Sequence, residues 1–192
     1  MRALRPTFNI METQIVAHRV SPTPIEAMEA SWYAVQTFPR HEKAVADQLH
    51  NDDIECLLPL IVREHRWSDR NQRVSLPLFP GYAFVRLNEQ RRDRIRVLRR
   101  PGVVRFVGNS QGPIALEACE IRHIRRLMEN EVSCKPHPFL QAGQKVRIRD
   151  GALRGVEGIL LREAGKDSLI LNVSLIQRSL SIQIEGYELE VL

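Results

Sequence analysis

Several things are missing from this 192-residue chain, and each absence removes a class of protein. No stretch approaches the roughly 18 consecutive apolar residues that a membrane-crossing helix needs. The three cysteines, Cys56, Cys119 and Cys134, are odd in number and form no CxxC. A disulfide framework is therefore not expected, and a reducing cytoplasm is. There is no phosphate-binding glycine loop, metalloprotease motif or nucleophile elbow. Asp52-Asp53 sits beside a turn and reads as a helix exit, not an acid–base pair. The expectation is a protein that is not an enzyme and needs no cofactor. Internal repeats and low-complexity tracts are also absent.

What is present is ordinary in amount and uneven in placement. A hydrophobic fraction of 43% and a charged fraction of 27% suit a globular chain of one ordinary domain or two small ones. The net charge is only +5, yet between Arg86 and Arg105 eight arginines face two acids. One segment thus carries the basic character. Such a concentration points to a phosphate backbone or an acidic protein surface. On a helix from about Gln90 to Arg99, Arg92, Arg96 and Arg99 share a face, with Arg94 and Arg100 beside it. Trp67, with Arg66 and Arg70, offers a weaker stacking site for a single strand.

The first thirty residues mix Arg2, Arg5 and Arg19 with Glu12, Glu26 and Glu29, and are broken by Pro6, Pro22 and Pro24. This is neither a signal peptide nor a transit helix, and residues 1–30 are expected to be a disordered leader. From Trp32 to Thr37 the chain reads as a strand, followed by a helix ending near Asn51. Ile54 to Arg66, Arg73 to Leu76, and the stretch after Gly81 read as further strands. Pro101-Gly102 ends the arginine helix, and Val103 to Val107 is another strand. Ile121, Ile124, Leu127 and Met128 then mark a clear amphipathic helix. The expectation for 31–130 is an α+β sandwich with its helices mainly on one face. Lys135-Pro136-His137-Pro138 suggests an interdomain linker over 131–138. Five short strand signals between turns in 139–192 then predict a small all-β barrel. Its alternating inner face would be Val146, Ile148, Ile159, Leu161, Leu169, Leu171 and Val173.

The segment Leu78-Phe79-Pro80-Gly81-Tyr82-Ala83-Phe84-Val85-Arg86-Leu87 carries the strongest functional signal. As a strand it sends Ala83, Val85 and Leu87 one way and Tyr82, Phe84 and Arg86 the other. The first set suits the underside of helices. The second places aromatics beside a charge, a candidate docking face for a partner protein unless another element of the chain covers it.

Ser31-Trp32-Tyr33-Ala34-Val35, Pro77-Leu78-Phe79-Pro80-Gly81-Tyr82-Ala83-Phe84-Val85 and Pro101-Gly102-Val103 resemble the amino-terminal domain of the NusG family of transcription elongation factors. Ala142-Gly143-Gln144-Lys145-Val146-Arg147-Ile148, Asp150-Gly151, Gly155 and Gly158 resemble the KOW barrel that follows it. The two in this order cover about 160 residues. Ser31-Trp32-Tyr33 and Pro77-Leu78-Phe79-Pro80 are closest to specialised paralogues such as RfaH and the capsule-operon antiterminators. The resemblance implies a NusG-type domain at 31–130 and a KOW domain at 139–192. It further implies binding to the clamp helices of the largest catalytic RNA polymerase subunit through Phe79, Pro80, Tyr82 and Phe84. Arg92, Arg94, Arg96, Arg99 and Arg100 lie where the family approaches the gate loop and upstream DNA, with the non-template strand as a further partner. It leaves open whether the KOW domain meets a ribosomal protein, Rho or the first domain. The implied function is suppression of pausing or termination, in an operon-specific antiterminator. A ribosome-associated or RNA-binding KOW protein is the alternative, and it has no need of the Phe-Pro-Gly-Tyr face.

Cys119, His123, Cys134 and His137 are four zinc-type ligands in 19 residues, but their spacing matches no familiar finger. No metal is expected.

Overall fold

The computed structural model describes residues 15–17, 30–66, 71–88, 91–163 and 166–192. Trp67 and Arg70 lie outside the described residues, as do the side chains of Arg66 and Arg92. The first module is organised by a four-stranded antiparallel sheet in the order β3-β6-β2-β7. Its strands are β2 (Ser31–Thr37), β3 (Glu55–Leu57), β6 (Tyr82–Leu87) and β7 (Val103–Phe106). Alternation sorts the side chains of these β-branched and aromatic runs onto two faces. Tyr33, Val35, Val85, Leu87 and Phe106 join Val45 and Leu49 of helix α1 (Glu42–Asn51) and Val97 of α2 (Arg91–Leu98). Ala34, Leu57 and Phe84 form a row across the opposite face. They cluster with Ile121, Ile124, Leu127 and Met128 of α3 (Ala118–Glu129). Helices thus cover both faces, where one was expected. The reason is that Phe84 and its row are as apolar as the α1 face and recruit the most amphipathic helix of the chain.

A hairpin of β4 (Pro59–Arg66) and β5 (Asn71–Pro77) leaves this sheet. Its outer edge is taken by β1 (Ile15–Ala17), so the leader is not wholly unstructured: three of its residues satisfy backbone groups of β4. Residues 1–14 and 18–29 lie outside the described residues. A two-residue ladder of β8 (Gly108–Asn109) and β9 (Gly112–Pro113) leads into α3.

The carboxy-terminal module is one antiparallel sheet ordered β10-β14-β13-β12-β11-β15. These strands are β10 (Cys134–His137), β11 (Gln144–Ile148), β12 (Glu157–Glu163), β13 (Lys166–Val173), β14 (Arg178–Gln183) and β15 (Leu189–Val191). The expected linker therefore contains a strand. Cys134 to His137 pair with Ile182 to Ser179, because an extended segment can line an open sheet edge even with a proline in it. Val146, Ile148, Leu169, Leu171 and Val173 enter the core as expected. Strand β12 takes the other parity: Leu160 opposes Leu169, while Ile159 opposes Ile170 on the reverse face. Gly158 fixes this choice, since a Cβ there would meet the Ile170 carbonyl and the Leu169 side chain.

Ile159 and Ile170 line a cavity of about 370 Å³ between the two modules, together with Cys119, His123 and Ile124 of α3. Helix α3 grips the second module at three points. The Ser174 amide donates to Glu120 Oε1 at 2.9 Å, and the Arg126 guanidinium donates to the Arg154 carbonyl. His123 shares a hydrogen bond with the Gly155 backbone.

Candidate protein-docking interface

The turn before β6 is held from two sides. Gly81 adopts φ +83°, where a side chain would be strained, and its open surroundings leave backbone conformation as the reason for glycine. Its N–H donates to Glu42 Oε1 at 2.8 Å, and its carbonyl accepts from the Thr37 N–H at 2.9 Å. Glu42 is itself buried at the start of α1. The Leu78 amide donates to the Pro59 carbonyl, and the Tyr82 amide to that of Phe79. Nothing in the sequence around Glu42 marks it, because a glutamate in a first helical turn is unremarkable.

This frame separates the four expected docking residues. Phe79 is 2% exposed and Phe84 is 0% exposed. Their rings meet edge to face at 5.5 Å, inside the core under α3. Pro80 is exposed and Tyr82 half-buried. The expected free face at Phe84 is thus covered by α3, and what reaches solvent is the Pro80–Tyr82 edge built upon the two phenylalanines. Tyr82 stands opposite Gln36, and Gln36 opposite Arg105, whose Nε donates to Gln36 Oε1 at 2.9 Å. An aromatic ring, an exposed proline and a polar pair therefore lie together at one end of the sheet.

At the sheet's other end, Arg86 pairs with Glu55 at 3.4 Å and Arg125 with Glu55 at 2.5 Å. Arg125 also lies over the Trp32 ring, 4.7 Å from its centroid. This network ties α3 to the sheet.

The arginine segment is less free than its charge suggested. Arg96 donates to the Asp52 carbonyl and pairs with Asp93. Arg100 Nε lies 2.6 Å from Asp52 Oδ2. Arg94 rests over the Tyr33 ring at 5.6 Å. These contacts pin α2 against the α1–β3 turn. Ile95 and Leu98 are exposed, and Val97 is the buried anchor. Of Arg94, Arg96, Arg99 and Arg100, Arg99 is the exposed one.

The zinc-type residues are dispersed. Cys119 and His123 face the intermodule cavity, Cys134 is buried in the second module, and His137 Nδ1 contacts the Pro138 carbonyl. Among the described residues no group of three or more His, Cys, Asp or Glu could hold a metal ion. Burial pushes the Cys56 thiol up to about 12, with Asp47 adding to it, and pushes Cys134 up to about 12 as well. Among the described residues, no helix is long and apolar enough to cross a membrane.

Fold and surface together define a two-module protein: a helix-flanked sheet with an exposed Pro80–Tyr82 edge, followed by a small all-β domain of the KOW type. Residues 30–125 match the family model described as Transcription termination factor nusG. The chain belongs to the NusG family of transcription elongation and antitermination factors. The Helicobacter pylori transcription termination/antitermination protein NusG is 26% identical over 179 residues, covering 83% of this chain and 97% of its own. The Escherichia coli K12 protein of the same name is 28% identical over 181 residues, covering 86% of this chain and 98% of its own. Among solved structures, "Domain interaction in Thermotoga maritima NusG" aligns with a TM-score of 0.50 at 20% identity. That alignment covers 86% of this chain and 98% of the Thermotoga chain.

Proposed function

We propose that this protein binds elongating RNA polymerase through the Pro80–Tyr82 edge and suppresses pausing or termination, as an operon-specific antiterminator. The partner surface is the clamp helices of the polymerase's largest catalytic subunit. The observation that carries this reading is the fixed turn: Gly81 is bonded on both sides, so Pro80 and Tyr82 are presented on a rigid base of Phe79 and Phe84. A preorganised aromatic edge loses little freedom on binding, which suits an interface anchor. Binding the closed clamp better than the open one shifts the polymerase toward the active state with no chemistry of the factor's own. Ser31-Trp32-Tyr33 and Pro77-Leu78-Phe79-Pro80 support the specialised role.

Arg99, with Arg92 on the same helix, is the group in this reading that meets the non-template DNA strand or the gate loop. Arg94, Arg96 and Arg100 hold the helix in place for it. The KOW domain supplies a second contact, to a ribosomal protein or to Rho.

The test is a pull-down of purified RNA polymerase by the full chain, followed by transcription through a pause-rich template. Retention of polymerase with shortened pauses is the expected result. Absence of both contradicts the proposal.

A further inference from the structure

Sheet parity leaves two isoleucines of the second module pointing away from its core. Ile159 and Ile170 stand opposite one another on the outer face of β12 and β13, 5% and 0% exposed. They floor the cavity of about 370 Å³ beneath α3, a size within the range of about 300–1,000 Å³ usual for small-ligand pockets. Its walls are fixed before any ligand arrives. Helix α3 is held by the bonds from Glu120, His123 and Arg126 described above. The loop before β11 crosses directly over Ile159, where a Cβ on Gly143 would collide with that side chain. Asn172 pins this loop, donating to the Leu140 carbonyl at 2.7 Å and accepting from Ser179 Oγ at 2.6 Å. Phe139 of the same loop lines the cavity beside Ile124 of α3.

The polar groups of the lining differ in what they have left to offer. Glu157 is neutralised by Arg147 at 2.7 Å. Glu120 accepts the Ser174 amide just beyond β13, two strands away from β11. His123 shares a bond with the Gly155 backbone, and burial favours its neutral form. Lys145 opposes Ile159 from β11, so it shares the cavity face, and it has no partner among the described residues. An anionic head is thus drawn to Lys145 and repelled by Glu120, while an apolar body lies over the isoleucines.

We propose that this cavity binds an amphiphilic carboxylic acid, with its apolar body against Ile159, Ile170 and Phe139 and its carboxylate on the Lys145 ammonium. The ligand restores the dispersion contacts that the void denies to the two isoleucines. Rigid walls reduce the ordering that binding requires. Because α3 belongs to one module and the floor to the other, the bound acid also holds the modules together. The site does not depend on the polymerase-docking reading above.

The experiment titrates octanoate, octanol and octylamine, each below its micelle-forming concentration, into the full chain by calorimetry. Methyl resonances of Ile159 and Ile170 are followed alongside to locate the ligand. Two variants accompany wild type, with circular dichroism confirming that each is folded. Lys145→Met keeps the aliphatic stem and removes the charge, and Cys119→Phe fills the cavity from α3. Wild type should bind one octanoate saturably, about ten-fold tighter than octanol or octylamine, as one charge-assisted hydrogen bond provides. Both isoleucine methyls should shift with the same saturation curve. Lys145→Met should bind octanoate no better than octanol, and Cys119→Phe should bind none of the three. Absence of saturable octanoate binding to wild type overturns the site. So does binding that leaves the Ile159 and Ile170 methyls unmoved, a result readable in wild type even if Cys119→Phe fails to fold. Equal affinity for the three head groups, or undiminished octanoate binding to Lys145→Met, overturns the carboxylic-acid class.

Discussion

The amide of Gly81 donates to the carboxylate of Glu42 at 2.8 Å, joining the first turn of α1 to the turn that starts β6. This bond holds the Phe79-Pro80-Gly81-Tyr82 segment, so the proposed docking edge depends on a residue far from it in sequence.

Glu42→Ala leaves a part-buried N–H without its acceptor, which should cost about 1–3 kcal/mol. Glu42→Gln keeps an acceptor oxygen and should cost less. Urea unfolding of the two variants checks the order. Equal midpoints for Glu42→Ala and wild type would remove the carboxylate from the account.

The arginines of α2 should divide by role. Arg96→Ala and Arg100→Ala lose contacts to Asp52 and should lower the unfolding midpoint. Arg99→Glu should leave stability within about 0.5 kcal/mol. It should weaken nucleic-acid binding in the elongation complex, most strongly at low salt. Titrations at two salt concentrations separate the two behaviours, and an unchanged salt slope for Arg99→Glu assigns that residue to a solvated surface.

Contact between the modules should respond to pH through His123. Burial lowers its pKa below the ordinary 6.5, and Arg122 and Arg126 act in the same direction. Glu157 and the Gly155 backbone bond oppose the shift without cancelling it. A depressed pKa means that the packed ring resists a proton that the released ring accepts. Above 6.5 both rings are neutral and contact is unaffected. As pH falls through 6.5 toward the lower packed value, contact should weaken. Scattering between pH 7.5 and 5.5 should show the chain expanding, and His123→Gln should flatten the response. A wild-type profile that is already flat contradicts this assignment.

Periodicity made the sheet legible, and it also set the limits of what could be read. The parity of β6 was clear, since Val85 and Leu87 do lie beneath α1 and α2. The same alternation could not show that α3 would close over Phe84, because an apolar row looks alike whether a helix or a partner covers it. Strand β12 misled for a related reason. Ile159 and Leu161 alternate convincingly, but Ile159 faces the α3 cavity while Leu160 turns to the core. Glu42, β1 and β10 were invisible because each depends on pairing across distant sequence, and proline made the β10 stretch look like a connector.

The central claim is tested most directly by the affinity of Tyr82→Ala for purified RNA polymerase, measured beside Val85→Ala and Phe84→Ala. Tyr82 is half-buried at the proposed docking edge, whereas Val85 and Phe84 are fully enclosed. Phe84→Ala should cost stability of about 3–5 kcal/mol, and Val85→Ala should cost stability through a smaller cavity. The fraction of Val85→Ala that stays folded should bind polymerase normally. Tyr82→Ala should unfold near the wild-type midpoint yet bind about thirty-fold more weakly, the loss of roughly 2 kcal/mol at an interface anchor. Wild-type affinity in a folded Tyr82→Ala chain would contradict the account and place the docking surface elsewhere.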